Sequence, residues 1–154
     1  PWSRSCFVCG EANEDGLRAR SYQVGEAVEL PFTTEERFAG WAGVIHGGLV
    51  ATVLDEVMTW AAILDLQRPC YAAEFTVRLL SPLGPGTACV ARARAQGGGR
   101  RLVQTQAELQ GGDGTLYARG GGRYMPVPPD AARHLREDFV HGEGCLDVRE
   151  WFGL

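Results

Sequence analysis

The sequence predicts an α+β domain in which one long helix is buried against a mostly antiparallel β-sheet. Three observations carry that expectation. A single segment, about Gly48 to Leu64, is apolar almost all round its axis, as befits a helix enclosed by other elements rather than lying on a surface. From Tyr71 to Met125 apolar and polar residues alternate with period two, the spacing of strands that turn one face to a core. Between these strands lie Pro82-Leu83-Gly84-Pro85-Gly86, Gly97-Gly98-Gly99 and Gly111-Gly112-Asp113-Gly114, all turn-forming stretches.

Taken in chain order, the opening Cys6-Phe7-Val8-Cys9-Gly10 is half a zinc knuckle by its spacing, but no second pair follows at metal-site spacing, so no metal is expected. His141 and Cys145 are candidates to complete it from afar. Leu17–Gln23 and Ala27–Phe32 are expected to form a hairpin with Gly25 at its turn. Gly43-Val44-Ile45-His46-Gly47-Gly48 then leads into the helix. Its polar residues Thr52, Asp55, Glu56 and Thr59 recur at spacings of three and four, forming a single stripe on an otherwise apolar cylinder. Four strands in a meander are expected next. Tyr71–Leu79 carries an apolar face of Tyr71, Ala73, Phe75, Val77 and Leu79, which reads as half-buried. The second strand has Cys89, Ala91, Ala93 and Ala95 on one face, small residues that let a bulky element lie close. Val103–Leu109 alternates cleanly. In Thr115–Met125, Gly120-Gly121-Gly122 would weaken the strand unless backbone or helix approaches closely there. Residues 1–126 are therefore read as one domain. Residues 127–154 are read as a C-terminal extension with a short helix around Ala131–Asp138, packed on the surface or on a neighbouring subunit, with Trp151 and Phe152 as its anchor.

Composition narrows the functions. The chain has 154 residues, a length suited to one core. A net charge of −4 argues against a nucleic-acid or anionic-membrane binder. All fifteen basic residues are Arg, which excludes Schiff-base chemistry on a lysine amine. The longest apolar stretch, Leu49–Leu64, is interrupted by Asp55 and Glu56 and is too short to span a bilayer. Five cysteines, an odd count without a regular framework, suit a reducing cytoplasm.

The chemistry is expected at the helix start. The first N–H groups of a helix have no internal acceptor and sit at the positive end of its dipole, so a carbonyl or oxyanion is favoured there. Gly47 N–H is a candidate oxyanion donor, with Gly48 beside it allowing close approach; a tight strand-to-helix turn is the plainer reading of the same glycines. His46 is given a positioning role in that turn, its ring bonded to backbone, since no Ser or Cys nucleophile is paired with it. Asp55 on so apolar a helix needs a partner or a wet cleft. Gly47 and Asp55 are eight residues apart, roughly 12 Å along one helix at 1.5 Å per residue. One carbonyl cannot reach both, so Asp55 of one copy should meet Gly47 of another across a two-fold axis.

Gly43-Val44-Ile45-His46-Gly47-Gly48, with Ala51-Thr52 and Leu54-Asp55-Glu56, resembles the helix signature of hot-dog-fold thioesterases of the phenylacetate-degradation type, and Cys6-Phe7-Val8-Cys9-Gly10 with Asn13 and Gly16-Leu17 resembles the start of many members. The resemblance spans roughly Cys6 to Pro126. It implies an antiparallel sheet wrapped around one helix, a homodimer or homotetramer with sites at the dimer interface, and hydrolysis of an acyl-CoA thioester without a cofactor, coenzyme A entering as part of the substrate. Gly47 matches the family's oxyanion donor and Asp55 its catalytic acid. Glu56, Thr59, Tyr71 and Trp41 are expected to hold water or line the acyl site with Gly48. The alternative is a non-catalytic acyl-thioester-binding domain on the same fold.

Overall fold

Helix α1 (Gly47–Leu66) forms the centre of the molecule. The computed structural model describes residues 1–153, the side chains of Arg133, His134 and Arg136 excepted. Leu49, Val50, Val53, Leu54, Val57, Met58, Ala61, Ala62 and Ile63 of α1 are buried, and each large one contributes about 1.5–3 kcal/mol through removal from water. The helix stops at Gln67, which adopts the left-handed conformation (φ 52°) and donates its N–H to Ile63 O at 2.8 Å.

The strands are β1 (Trp2–Ser3), β2 (Tyr22–Val24), β3 (Ala27–Thr33), β4 (Ala39–Trp41), β5 (Val44–Ile45), β6 (Cys70–Leu79), β7 (Ala88–Gly99), β8 (Leu102–Gly111), β9 (Leu116–Pro126) and β10 (Phe139–Val140). Six of them form one antiparallel sheet in the order β2-β3-β7-β8-β9-β6. Sheet and helix meet where the sheet's side chains are small. Ala91 and Ala93 of β7, Ala107 of β8 and Ala118 of β9 are all buried, and a Cβ on Gly120 would lie 3.3 Å from Met58 Cε and 3.5 Å from Leu54 Cδ1. That close approach is what the glycine run in β9 accommodates.

Three sequence expectations are corrected. Of Leu17–Gln23 only Tyr22 and Gln23 join β2, with Val24; Arg18 has φ 50°, and Leu17 and Ala19 donate instead to Phe7 O and Val8 O, so this stretch folds onto the N-terminal turn. The four downstream strands are not one meander. β6 pairs with β9 rather than with β7, because the turn after β6 carries the chain across to place β7 beside β3. The apolar face of β6 is not half-buried within one chain either: Tyr71, Phe75 and Leu79 are 46%, 38% and 56% exposed at the edge of the sheet.

The last segment closes on the first. Helix α2 (Pro129–Asp138) delivers β10, which pairs antiparallel with β1, Trp2 opposite Val140 and Ser3 opposite Phe139. Asp138 accepts hydrogen bonds from the Ser3 and Ser5 hydroxyls. Helix α3 (Arg149–Phe152) buries Phe152, whose ring stacks on Phe139 at 4.4 Å.

Candidate active site

The start of α1 is shaped by His46, the N-cap, whose Nδ1 accepts the Gly48 N–H at 2.9 Å. The imidazole therefore carries its proton, when neutral, on Nε2. His46 N–H donates to Phe38 O at 2.9 Å. The ring lies over Gly40, where a Cβ would come within 3.0 Å of His46 Cδ2. With Gly48 N–H bound to the imidazole and Leu49 N–H to His46 O, Gly47 N–H is left with no acceptor among the described residues. It opens beside a groove of about 290 Å³ lined by Val44, Ile45, Val50, Leu79, Leu80 and Tyr117. A Cβ on Gly47 would come within 2.8 Å of Leu79 Cδ1, so the glycine keeps this donor reachable.

Two turns along the helix, Asp55 accepts the Tyr124 hydroxyl at 2.8 Å. Tyr124 projects from β9 and is completely buried, and its hydroxyl also interacts with Thr59. Burial raises the Asp55 carboxyl above its ordinary range, and the Tyr124 hydrogen bond acts in the opposite direction. Burial and the neighbouring Asp55 charge push the Tyr124 phenol up in turn, so it stays a protonated donor near neutrality. The result is a partly buried carboxylate, oriented by one neutral donor, with its second oxygen available: the arrangement a general base requires.

Glu56 faces elsewhere. Consecutive helix residues point about 100° apart, and this turns Glu56 towards the N-terminal segment, where it accepts Trp60 Nε1 at 3.2 Å and lies against Cys6 and Cys9. Burial pushes its carboxyl up to about 7. The structure thus brings Asp55 and Thr59 together through Tyr124, and groups His46, Gly47 and Gly48 at the helix start, but places Glu56 outside both groups. Trp41 is 85% exposed at the tip of the β4–β5 hairpin. Tyr71, at the start of β6, lines a separate groove of about 780 Å³ with Arg68, Arg100, Arg101 and Met125. Sequence reasoning did not single out Tyr124; its signal was its place on the inward face of the last alternating strand, with Ala118.

The sequence model of the thioesterase superfamily matches residues 42–118, half of the chain. This protein belongs to the thioesterase superfamily. Its fold is the hot-dog fold, shared with thioesterase superfamily member 2 from zebrafish (19% identity, 77% of this chain and 90% of that chain covered, TM-score 0.69). It is shared equally with the PaaI protein of the Escherichia coli phenylacetic acid degradation operon (18% identity, 73% and 81% covered, TM-score 0.65) and the Haemophilus influenzae thioesterase HI1161 (17% identity, 77% and 85% covered, TM-score 0.67). No curated protein matches the sequence. No helix among the described residues is long and apolar enough to cross a membrane.

Proposed function

We propose that this protein hydrolyses an acyl-CoA thioester to a free acid and coenzyme A at a site built from two copies of the chain. The observation that carries the reading is the pairing, on one helix of a thioesterase-superfamily fold, of a Gly47 N–H with no acceptor among the described residues with a partly buried carboxylate that accepts the Tyr124 hydroxyl. The two lie roughly 12 Å apart along the helix axis, and a reacting carbonyl needs its oxyanion donor and its activated water about 3 Å away. Two antiparallel α1 helices, Gly47 of one facing Asp55 of the other, meet that requirement twice. The open edge of β6, with Phe75 and Leu79 exposed, supplies the surface on which a second copy would extend the sheet.

Asp55 takes a proton from water as the water oxygen attacks the thioester carbon. Gly47 N–H, at the positive end of α1, stabilises the negative charge on the carbonyl oxygen. Collapse of the tetrahedral intermediate breaks the C–S bond and releases coenzyme A as its thiolate, which takes up the proton held by Asp55 and so returns the carboxylate to its starting state. The groove beside Gly47 receives part of the acyl group, and its lining of Val44, Val50, Leu79 and Tyr117 suits an apolar one.

Thiol release from a panel of aromatic and aliphatic acyl-CoA thioesters tests this. Turnover in the wild type that falls by about 10²–10⁴-fold in Asp55→Asn, with an unchanged melting temperature, is the expected outcome. Binding of acyl-CoA without hydrolysis of any thioester would leave an acyl-thioester-binding domain instead.

A further inference from the structure

We infer that Cys6, Cys9 and Glu56 form a binding site for a thiophilic divalent cation of the zinc type. The two sulfurs and a Glu56 carboxylate oxygen all lie within 4.8 Å of one another. In a tetrahedral zinc site with Zn–S near 2.3 Å, thiolate sulfurs stand about 3.8 Å apart, so modest side-chain rotation closes the three donors onto one ion. The inference does not rest on the thioesterase reading: Glu56 points away from the side of α1 that carries Asp55, and no reaction step uses it.

The N-terminal turn is built as a ligand loop. Gly10 N–H donates to Cys6 O at 2.9 Å, and Val8 N–H points at Cys6 Sγ at 3.3 Å, a bond that favours a thiolate at that sulfur. Position 10 admits only glycine, since a Cβ there would fall 2.3 Å from Cys6 O and 2.7 Å from Arg4 O. The turn is anchored in place by Leu17 N–H to Phe7 O and Ala19 N–H to Val8 O, both 2.9 Å. Cys9 is buried. Sequence spacing alone leaves this half-knuckle without a partner; the fold supplies the third donor from the middle of α1.

Glu56 needs such a partner. Its donors, the Cys9 thiol and the Trp60 indole N–H, are both neutral, and among the described residues none of the ion pairs involves it. A carboxylate held against two thiols, without a cation, is unfavourable in a partly buried setting. A divalent ion resolves this. Both thiol protons leave to solvent as the ion binds, two thiolates and one carboxylate fill three positions, and water takes the fourth. Soft sulfur with one oxygen donor selects zinc over magnesium or calcium. His141 and Cys145 do not join the cluster. The ion would fasten the N-terminal turn to the central helix.

The test uses the full chain, reduced and stripped with a chelator. One equivalent of cobalt(II) should produce the thiolate-to-cobalt charge-transfer absorption and the intense visible bands of four-coordinate geometry, and zinc should displace it. Zinc at a hundredfold excess over its dissociation constant should raise the melting temperature by about 5–10 °C. Cys6→Ser should abolish the charge-transfer band, and Glu56→Gln should keep it while weakening affinity by about tenfold or more. Absence of a charge-transfer band in the reduced wild type overturns the inference, as does zinc affinity that is the same in Cys6→Ser. None of these readouts depends on turnover, so a catalytically inactive protein that binds zinc, or an active one that does not, separates the two proposals.

Discussion

His46 holds the first turn of α1 by accepting the Gly48 N–H, and this leaves Gly47 as the exposed donor. Replacing it with alanine removes the cap and is expected to cost about 1 kcal/mol of stability, read as a fall of about 2–4 °C in melting temperature, together with reduced turnover as the first turn frays. Tyr124→Phe removes the phenol bonded to Asp55; the expected result is a lower kcat with KM little changed, since in the proposed mechanism the hydroxyl acts on the base and not on substrate binding. Steady-state kinetics on the best thioester checks both. At this scale the placement of Gly47 and Asp55 two turns apart on α1 was legible, because spacing along one helix fixes separation and direction. Tyr124 was not, because it is 69 residues from Asp55 in sequence and reaches it through sheet register. The same holds for Glu56, which shares the polar stripe of Asp55 in sequence but diverges from it in space.

Among the elements, β9 shows how tightly the sheet is fitted around α1. A Cβ on Gly122 would meet Phe75 Cβ at 2.9 Å, Glu74 O at 3.1 Å and the Tyr124 ring at 2.8 Å. Gly122→Ala should therefore destabilise the fold by about 1–3 kcal/mol, measured by urea unfolding, and lower turnover beyond that loss because the displaced ring carries the hydroxyl that orients Asp55. The buried helix, the small-residue face of β7 and the clean alternation of β8 could all be read from residue periodicity, since each depends on local pattern. Strand order could not. A period-two pattern says that a strand has an apolar face, not which neighbour pairs with it, and so β6 was expected beside β7 when it lies beside β9. The N-terminal hairpin was drawn too long because the bonds of Leu17 and Ala19 go to the Phe7–Val8 turn, a partner with no periodic signal.

For the whole molecule, the proposed two-copy site would tie assembly to activity through the apolar edge of β6. Phe75→Asp places a charge on the exposed face of that edge, and the expected outcome is a monomer by light scattering that has lost turnover although Asp55, Gly47 and Tyr124 are untouched. Retained turnover in a monomer would refute a site shared between copies. The pairing of β1 with β10 carries a different consequence. Ser3 lies opposite Phe139, so this ladder closes a loop that encompasses almost the entire chain, and it does so with two residues on each side. Contacts that close the longest loops gain least until the rest of the chain is in place. The sheet and α1 should condense first and the two ends latch afterwards, so that weakening the latch speeds unfolding and leaves the folding rate nearly unchanged.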